Sequence, residues 1–238
     1  MSWWKSAMYE LLAKYYDALV KDPEATKHWV DWIGVRGKTL LDCGCGSGEI
    51  THELSGNYQT TGIDLSPDMV REAKAKYDLD FEVRDMTDLE GLGTFDVITC
   101  LCDSFNYLDK EQAEEFFDEC ARHLNDSGWL LFDTHSLDRL DEFADGYVEA
   151  GQFEDGTQVQ WSIESEDNEI YQDFVFYLPD GRLIQEHHLQ WVYTPEELEE
   201  MLEKNFEVCD ITTDFDVPGI TSGEKYFYVC RKKGTVAQ

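Results

Sequence analysis

Residues 40 to 48 read Leu-Leu-Asp-Cys-Gly-Cys-Gly-Ser-Gly, a hydrophobic run that meets an acid and then three glycines in alternate positions. Backbone that can turn this sharply without Cβ atoms brings its amides close to a bound ligand. The spacing narrows the choice of ligand. A dinucleotide turn uses G-x-G-x-x-G, and that frame fails here: its last slot is Glu49 counted from Gly44, and Thr51 counted from Gly46. Glu49 also opposes a pyrophosphate, because it puts negative charge at the helix N-terminus that a phosphate would occupy. Gly37-Lys38-Thr39 looks like the end of a P-loop. However, the position five before Gly37 is Trp32, and the segment precedes the strand instead of following it.

Two further acids fall where a nucleoside would need them. Asp64 ends Thr61-Gly62-Ile63-Asp64-Leu65, twenty residues beyond Gly44, a separation that brings a carboxylate to the two hydroxyls of an adenosine ribose. Val83-Arg84-Asp85-Met86 puts Asp85 on the same sheet edge, able to accept from an adenine amino group. With Asp42, three acids stand at successive strand ends around a glycine turn, a coincidence that chance does not readily give.

The elements that must position these residues follow from hydrophobic periodicity. Short aliphatic runs at 38–43, 58–64, 80–84, 95–101 and 128–134 alternate with amphipathic stretches, the pattern of βαβ units around a parallel sheet. Ser66-Pro67 and Thr194-Pro195-Glu196-Glu197 carry helix-start chemistry, a hydroxyl cap followed by proline at the first helical position. Asp109 opens a helix buried through Ala113, Phe116, Phe117, Cys120 and Leu124. Residues 3 to 21 repeat apolar side chains at helical spacing, which predicts one amphipathic helix packed on the core. From about 140 to 193 the period changes to two, with turn pairs Asp155-Gly156, Asp167-Asn168 and Asp180-Gly181, which predicts roughly four antiparallel strands. Their faces are expected to hold Val159, Trp161 and Ile163, and later Leu183, Leu189, Trp191 and Tyr193. A helix over 195–204 and closing strands near 206–213 and 224–231 complete the chain. The expected organisation is a cofactor domain of residues 1–139 and 191–238, with 1–36 as a helical cap, and an insertion of residues 140–190 that walls the acceptor side.

The motifs at residues 38–135 resemble the class I (Rossmann-like) S-adenosylmethionine-dependent methyltransferases, whose first motif is a hydrophobic strand, Asp-x-Gly-x-Gly-x-Gly, then a helix. The resemblance implies an α/β fold with a doubly wound, seven-stranded, mainly parallel sheet of order 3-2-1-4-5-7-6, its last strand antiparallel, and an antiparallel insertion after strand five. It implies S-adenosylmethionine as cofactor, with Gly44, Gly46 and Gly48 lining the methionyl and adenosyl moieties. Asp64 would hold the ribose and Asp85 the adenine amino group, with Met86 against the ring. Asp42, Cys45, Leu65, Leu101 and Cys102 complete the implied cofactor site. Tyr16-Asp17 stands where small-molecule relatives carry a Tyr-Asp pair that caps the cofactor. Asp126-Ser127-Gly128 replaces the Pro-Gly-Gly that relatives often show before strand five.

S-adenosylmethionine carries its own leaving group, so alignment of an acceptor and exclusion of water are the main requirements. The acceptor-side candidates are Asp103, Ser104, Asn106 and Tyr107 after strand four and His135 after strand five, with His187 or His188 reaching in from the insertion. Asp103, Asn106 and His135 are taken as the catalytic set, and His135 as the base where one is needed, because imidazole titrates near neutrality. The expected reaction is methyl transfer to nitrogen or oxygen of a small molecule. The alternative is a catalytically silent cofactor-binding sensor or partner, and an NAD-dependent oxidoreductase is a third reading that the glycine spacing disfavours.

Composition bounds the rest. The 238 residues, 42% of them hydrophobic, suffice for one α/β domain with an insertion. Nineteen basic against 51 acidic residues leave a net charge of -32, a field that repels phosphate backbones and anionic lipid, so neither nucleic acid nor membrane is an expected partner. The partner is a small-molecule acceptor, and a homodimer is compatible with the sequence. Seven cysteines without a regular framework, and no signal-peptide pattern, suggest reduced thiols in a cytoplasm. Cys43, Cys45, Cys100 and Cys102 could converge on zinc, but buried thiols commonly serve as small apolar residues, and no metal is expected. The aromatic group Trp161, Phe176, Tyr177 and Trp191 is read as hairpin packing, with a cage for a methylated ammonium as the alternative.

Overall fold

A computed structural model describes residues 11–20 and 23–234. The chain runs α1 (Leu12–Val20), α2 (Pro23–Ile33), β1 (Thr39–Cys43), α3 (Glu49–Leu54), β2 (Gln59–Asp64), α4 (Pro67–Lys76), β3 (Asp80–Val83) and β4 (Phe95–Cys100). A 3-10 turn, Ser104–Tyr107, leads into α5 (Lys110–His123), β5 (Leu124–His135) and α6 (Asp138–Phe143). The antiparallel insertion follows as β6 (Tyr147–Gln152), β7 (Gln158–Glu166), β8 (Glu169–Tyr177) and β9 (Leu183–Trp191). Last come α7 (Pro195–Glu203), β10 (Phe206–Thr213), β11 (Val217–Pro218) and β12 (Lys225–Lys232).

The main sheet has the order β11-β10-β12-β5-β4-β1-β2-β3. Strands β1 to β5 pair in parallel, and β12 runs antiparallel to both β5 and β10. The seven long strands thus follow the expected 3-2-1-4-5-7-6 order, and the two-residue β11 adds an eighth at the edge. Both faces are covered. Phe105, Phe116, Phe117, Phe132 and Tyr228 pack with α5 and α7 on one side, and Trp29, Ile33, Leu40, Leu54 and Phe227 with α2 and α3 on the other. Each of the strongest helix-start signals is realised: Ser66 accepts from Met69 N, Asp109 forms a capping box with Gln112, and Thr194 forms one with Glu197.

Two elements differ from the sequence-based expectation. Strand five begins at Leu124, four residues early, and the expected turn sits within it: the register against β4 jumps between Phe95 and Val97, and Ser127 takes a positive φ of 60°. The other difference is in β9, where Leu183 is exposed while Glu186, His188 and Gln190 point inward. The inner face of the insertion covers a polar crevice and the start of α1, so polar side chains have partners there. Glu186 Oε1 accepts from Leu11 N at 2.7 Å and Leu12 N at 3.0 Å, satisfying amides that a helix start leaves open. The helix expected over 3–21 is seen in its described part as α1; Trp4, Ala7 and Met8 lie outside the described residues. Among the described residues no helix is long and apolar enough to cross a membrane.

The α7 cap gives a direct test of this reading. Thr194 Oγ accepts from Glu197 N at 3.2 Å, and Glu197 Oε2 accepts from Thr194 N at 2.9 Å. Thr194→Ala is expected to cost about 1 kcal/mol, seen as a lower urea midpoint with an unchanged slope.

Candidate functional site

The glycine turn is held from two sides. Gly44 N and Cys45 N both donate to Ile63 O, at 2.8 and 2.9 Å, which ties the end of β1 to the end of β2. Asp64 then bridges both loops: Oδ2 accepts from Gly46 N at 2.9 Å and Oδ1 from Ser66 N at 2.8 Å. Each oxygen keeps a second lone pair for a ligand. Gly44 has φ 73° and Gly46 φ 53°, conformations that a side chain would strain. A Cβ on Gly44 would lie 2.5 Å from Ser104 Oγ, whereas one on Gly46 would meet nothing within 4 Å. The turn therefore presents bare backbone to open space, as a ligand cradle requires.

Three cavities open around this turn, and Gly44 and Ser104 line all of them. The first, 120 Å³, lies between the turn and α2 and is lined by Tyr16, Asp42, Cys45, Leu101 and Cys102, with Thr26 and Trp29 opposite. The second, 340 Å³, is lined by Asp64, Leu65, Asp85, Met86 and Tyr107, with Trp191 from β9 as roof. Asp85 Oδ1 accepts from Thr87 N and Oγ1 at 3.0 and 2.8 Å, which fixes the carboxylate and leaves Oδ2 available. The third, 170 Å³, lies under the insertion, between Tyr16 and Asp103 on one side and Trp161, Gln172, Phe174 and Gln190 on the other. Trp161 and Phe174 stack with ring centroids 5.3 Å apart.

Almost every expected cofactor residue converges on these cavities. Gly48 does not: a Cβ there would sit 2.7 Å from Phe81 Cζ and 3.0 Å from Ala73 Cβ, so this glycine serves close packing of α3 and α4 against the sheet. Tyr16 faces the first and third cavities, whereas the side chain of Asp17 lies outside the described residues. Asp103 lines the third cavity, but Asn106 and His135 line none of the three. Asn106 is fully buried and its amide is committed: Nδ2 donates to Thr134 Oγ1 at 2.9 Å and to Trp191 O at 2.7 Å, while Oδ1 accepts from His135 N at 3.1 Å. His135 lies behind it, with Nε2 3.1 Å from Gln190 Oε1, and burial lowers its pKa. These two side chains hold the wall of the crevice and line none of its cavities. Of the histidines on β9, His188 is buried beside Tyr107, while His187 is exposed and paired with Asp173. The four aromatics do not form a cage, since Phe176 is buried against α1, Tyr177 is exposed, and Trp161 and Trp191 face different cavities. Among the described residues no cluster of ligands fit for a metal occurs, and all seven cysteines are free.

Lys225, the first residue of β12, joins the site although no local motif announces it. Its ammonium lies 2.6 Å from Asp103 Oδ1 and 3.3 Å from Asp133 Oδ2, and Asp103 N donates to Asp133 Oδ2 at 3.1 Å. The triad fixes the turn at Cys102 and Asp103, both at positive φ of 55° and 62°. Burial raises Asp103, but the charges of Lys225 and His135 outweigh it and hold the carboxyl well below the usual range. In Asp133, burial and Asp103 prevail over Lys225 and push the pKa up to about 7. Only the pairing of a hydrophobic-looking closing strand with β5, Lys225 opposite His135, reveals this contact.

Asp42 is buried and clamped by Thr51 Oγ1 at 2.6 Å and Thr99 Oγ1 at 2.8 Å, so it shapes the loop from beneath. Burial prevails over these hydrogen bonds and raises its pKa from 3.8 to about 6. The folded chain thus keeps a proton that the unfolded chain releases above pH 3.8, and this group costs stability as pH rises from about 4 to about 6. Asp42→Asn removes that cost. Relative to the unmodified protein it should gain up to about 3 kcal/mol across this window and nothing further above it, as read by urea unfolding at pH 4.5, 6 and 7.5.

Comparison with known proteins agrees with this geometry. Residues 40–128 match the family model described as "Methyltransferase domain". A protein of Geobacillus sp. (strain WCH70), named as a candidate methyltransferase, is 32% identical over 94% of this chain and 99% of its own length. An S-adenosylmethionine-dependent methyltransferase structure from Clostridium acetobutylicum ATCC 824 superposes with a TM-score of 0.81 at 24% identity, covering 95% of this chain and 99% of that one. The sugar N-methyltransferase KedS8 of Streptoalloteichus sp. ATCC 53650 shares the fold with a TM-score of 0.74 at 23% identity, covering 92% of each chain. The chain belongs to the class I S-adenosylmethionine-dependent methyltransferases.

Proposed function

We propose that this enzyme transfers a methyl group from S-adenosylmethionine to a nitrogen or oxygen of a small polar molecule held beneath the four-stranded insertion. The observation that carries the reading is the three-lobed crevice, whose cavities meet at Gly44 and Ser104. In this reading residues 1–139 and 191–238 bind the cofactor, and residues 140–190 wall the acceptor side. The 170 Å³ third lobe, roofed by Trp161, Phe174 and Gln190, suits a metabolite better than a macromolecular surface. KedS8, a sugar N-methyltransferase of the same fold, lends support to such an acceptor.

The residues fit the cofactor as follows. Asp64 would hold the ribose hydroxyls with the lone pairs left over from Gly46 N and Ser66 N. Asp85 Oδ2 would hold the adenine amino group, with Leu65 and Met86 of the second lobe against the ring. Gly44, Cys45, Gly46 and Leu101 of the first lobe would hold the methionyl portion, with Cys102 and Tyr16 at the border with the third. When bound, the cofactor supplies a methyl carbon activated by its sulfonium.

The chain's own task is to present an acceptor atom to that carbon and to keep water out, which can account for about 7–11 kcal/mol of the barrier when alignment is good. Trp161 and Phe174 offer a flat apolar wall, and a hydrogen-bonded series fixes the polar side. Trp161 Nε1 donates to Gln172 Oε1 at 3.1 Å, Gln172 Nε2 to Gln190 Oε1 at 2.6 Å, and Gln190 Nε2 to Asp103 O at 3.4 Å. Asp103 faces the acceptor as an ionised carboxylate. Asn106 and His135 act as positioning residues, since their hydrogen bonds hold β5, the 3-10 turn and β9 together.

Two measurements test the reading. Asp64→Ala is expected to weaken S-adenosylhomocysteine binding by at least about tenfold in calorimetry, the loss of a charge-assisted contact, while the circular dichroism spectrum is unchanged. Incubation with methyl-labelled S-adenosylmethionine and a cell extract should put label into the small-molecule fraction. Label confined to nucleic acid or protein would contradict the proposal.

A further inference from the structure

Methylation of a neutral amine or a hydroxyl leaves a proton to be placed, and the groups first expected to take it are poorly disposed. Asp103 is held ionised by Lys225 at 2.6 Å, and His135 is screened from the crevice behind Asn106. One other imidazole, on the insertion, stands behind the third lobe in contact with two residues that line it, Tyr107 and Phe174. His188, 3% exposed on the inner face of β9, has Nδ1 3.0 Å from Tyr107 Oη. Tyr107 lines both the second and third lobes and so stands between the two spaces. The edge of the His188 ring is set against Phe174, with centroids 5.4 Å apart at 80°. The two residues come from different parts of the fold, the 3-10 turn after β4 and β9, the last strand of the insertion, and they meet beside the third lobe.

The geometry points to Tyr107 and His188 as a proton-accepting dyad for the methyl acceptor, an inference that rests on the acceptor reading above. As the acceptor atom forms its bond to the methyl carbon, the electron pair of the breaking carbon–sulfur bond stays on sulfur. The acceptor proton passes to Tyr107 Oη, and the phenolic proton passes to His188 Nδ1. One positive charge leaves sulfur and one appears on the imidazolium, so the net charge of the enclosed site is constant. This matters because a buried site cannot readily accommodate a change in net charge. After the products leave, the imidazolium returns its proton through Tyr107. Burial keeps His188 neutral beforehand, with a pKa lowered to about 4, and the neighbouring His187 adds to that while Asp173 opposes it. The dyad also gives the insertion a chemical task beyond that of a wall.

The test combines nitrogen-15 NMR of histidine-labelled protein bound to S-adenosylhomocysteine with single-turnover transfer of labelled methyl into a small-molecule cell extract. The His188 signal, assigned by its loss in His188→Gln, should show the tautomer protonated at Nε2, with Nδ1 accepting a hydrogen bond that disappears in Tyr107→Phe. Tyr107→Phe and His188→Ala should each slow transfer by about 10²-fold, the low end of the usual contribution of acid–base catalysis, while His188→Ala changes S-adenosylhomocysteine affinity less than about threefold. Added imidazole should restore part of the rate to His188→Ala, which a purely structural role would not allow. A His188 protonated at Nδ1, or variants that transfer at the unmodified rate, would overturn the dyad. An unmodified protein that labels no small molecule contradicts the acceptor reading instead, and the tautomer alone then decides the dyad.

Discussion

A single carboxylate, Asp64, joins the two loops on which the site is built. By accepting from Gly46 N and Ser66 N it locks the glycine turn after β1 to the helix start after β2. The bond is charge-assisted and enclosed, and burial raises the cost of ionising Asp64 while the two amides offset it. A carboxylate held in this way is already oriented before a ligand arrives, so its remaining lone pairs act without reorganisation. The open space over Gly46 and the crowding over Gly44 follow from the same turn. The cavities that meet there depend on it.

Buried charge is used again on the far side of the crevice. Lys225 draws Asp103 and Asp133 together and stabilises two consecutive left-handed residues at the end of β4. Backbone of that kind costs on the order of 1–3 kcal/mol per residue and persists only where its surroundings over-determine it. Here a closing strand from the end of the chain supplies the constraint, and Asn106 adds another by binding Trp191 O of the insertion. The third cavity is thus enclosed by α1, the turn after β4 and strands β7, β8 and β9, while β5 and β12 hold that turn from behind through Asp133 and Lys225.

The parts of the fold legible in the sequence are those that local chemistry dictates. The glycine spacing, the acids at strand ends, the Ser66 and Thr194 caps and the Asp-Gly turns each act within a few residues, and the structure places each element they imply. The acceptor side was less legible because it is made by pairing across the sheet. Lys225 looks like the first residue of an ordinary closing strand until its antiparallel register sets it opposite His135. The alternation in β9 shows where Leu189 and Trp191 line the second cavity, but apolar periodicity alone does not reveal the opposite face. That face carries Glu186, His188 and Gln190 toward polar partners in α1, the 3-10 turn and β8. Asn106 and His135 suggest catalysis by residue type and position, but a one-dimensional reading cannot show that their hydrogen bonds are committed to neighbouring strands.

The account depends on the three cavities being compartments of one ligand-bearing crevice, with the reactive carbon directed toward the insertion. A crystal structure with S-adenosylhomocysteine examines this directly. The adenine should lie between Leu65 and Met86, the ribose on Asp64, and the sulfur beside Cys102 and Tyr16 facing the lobe beneath Trp161. A nucleoside bound away from Asp64, or an amino-acid portion filling the space under the insertion, would contradict it.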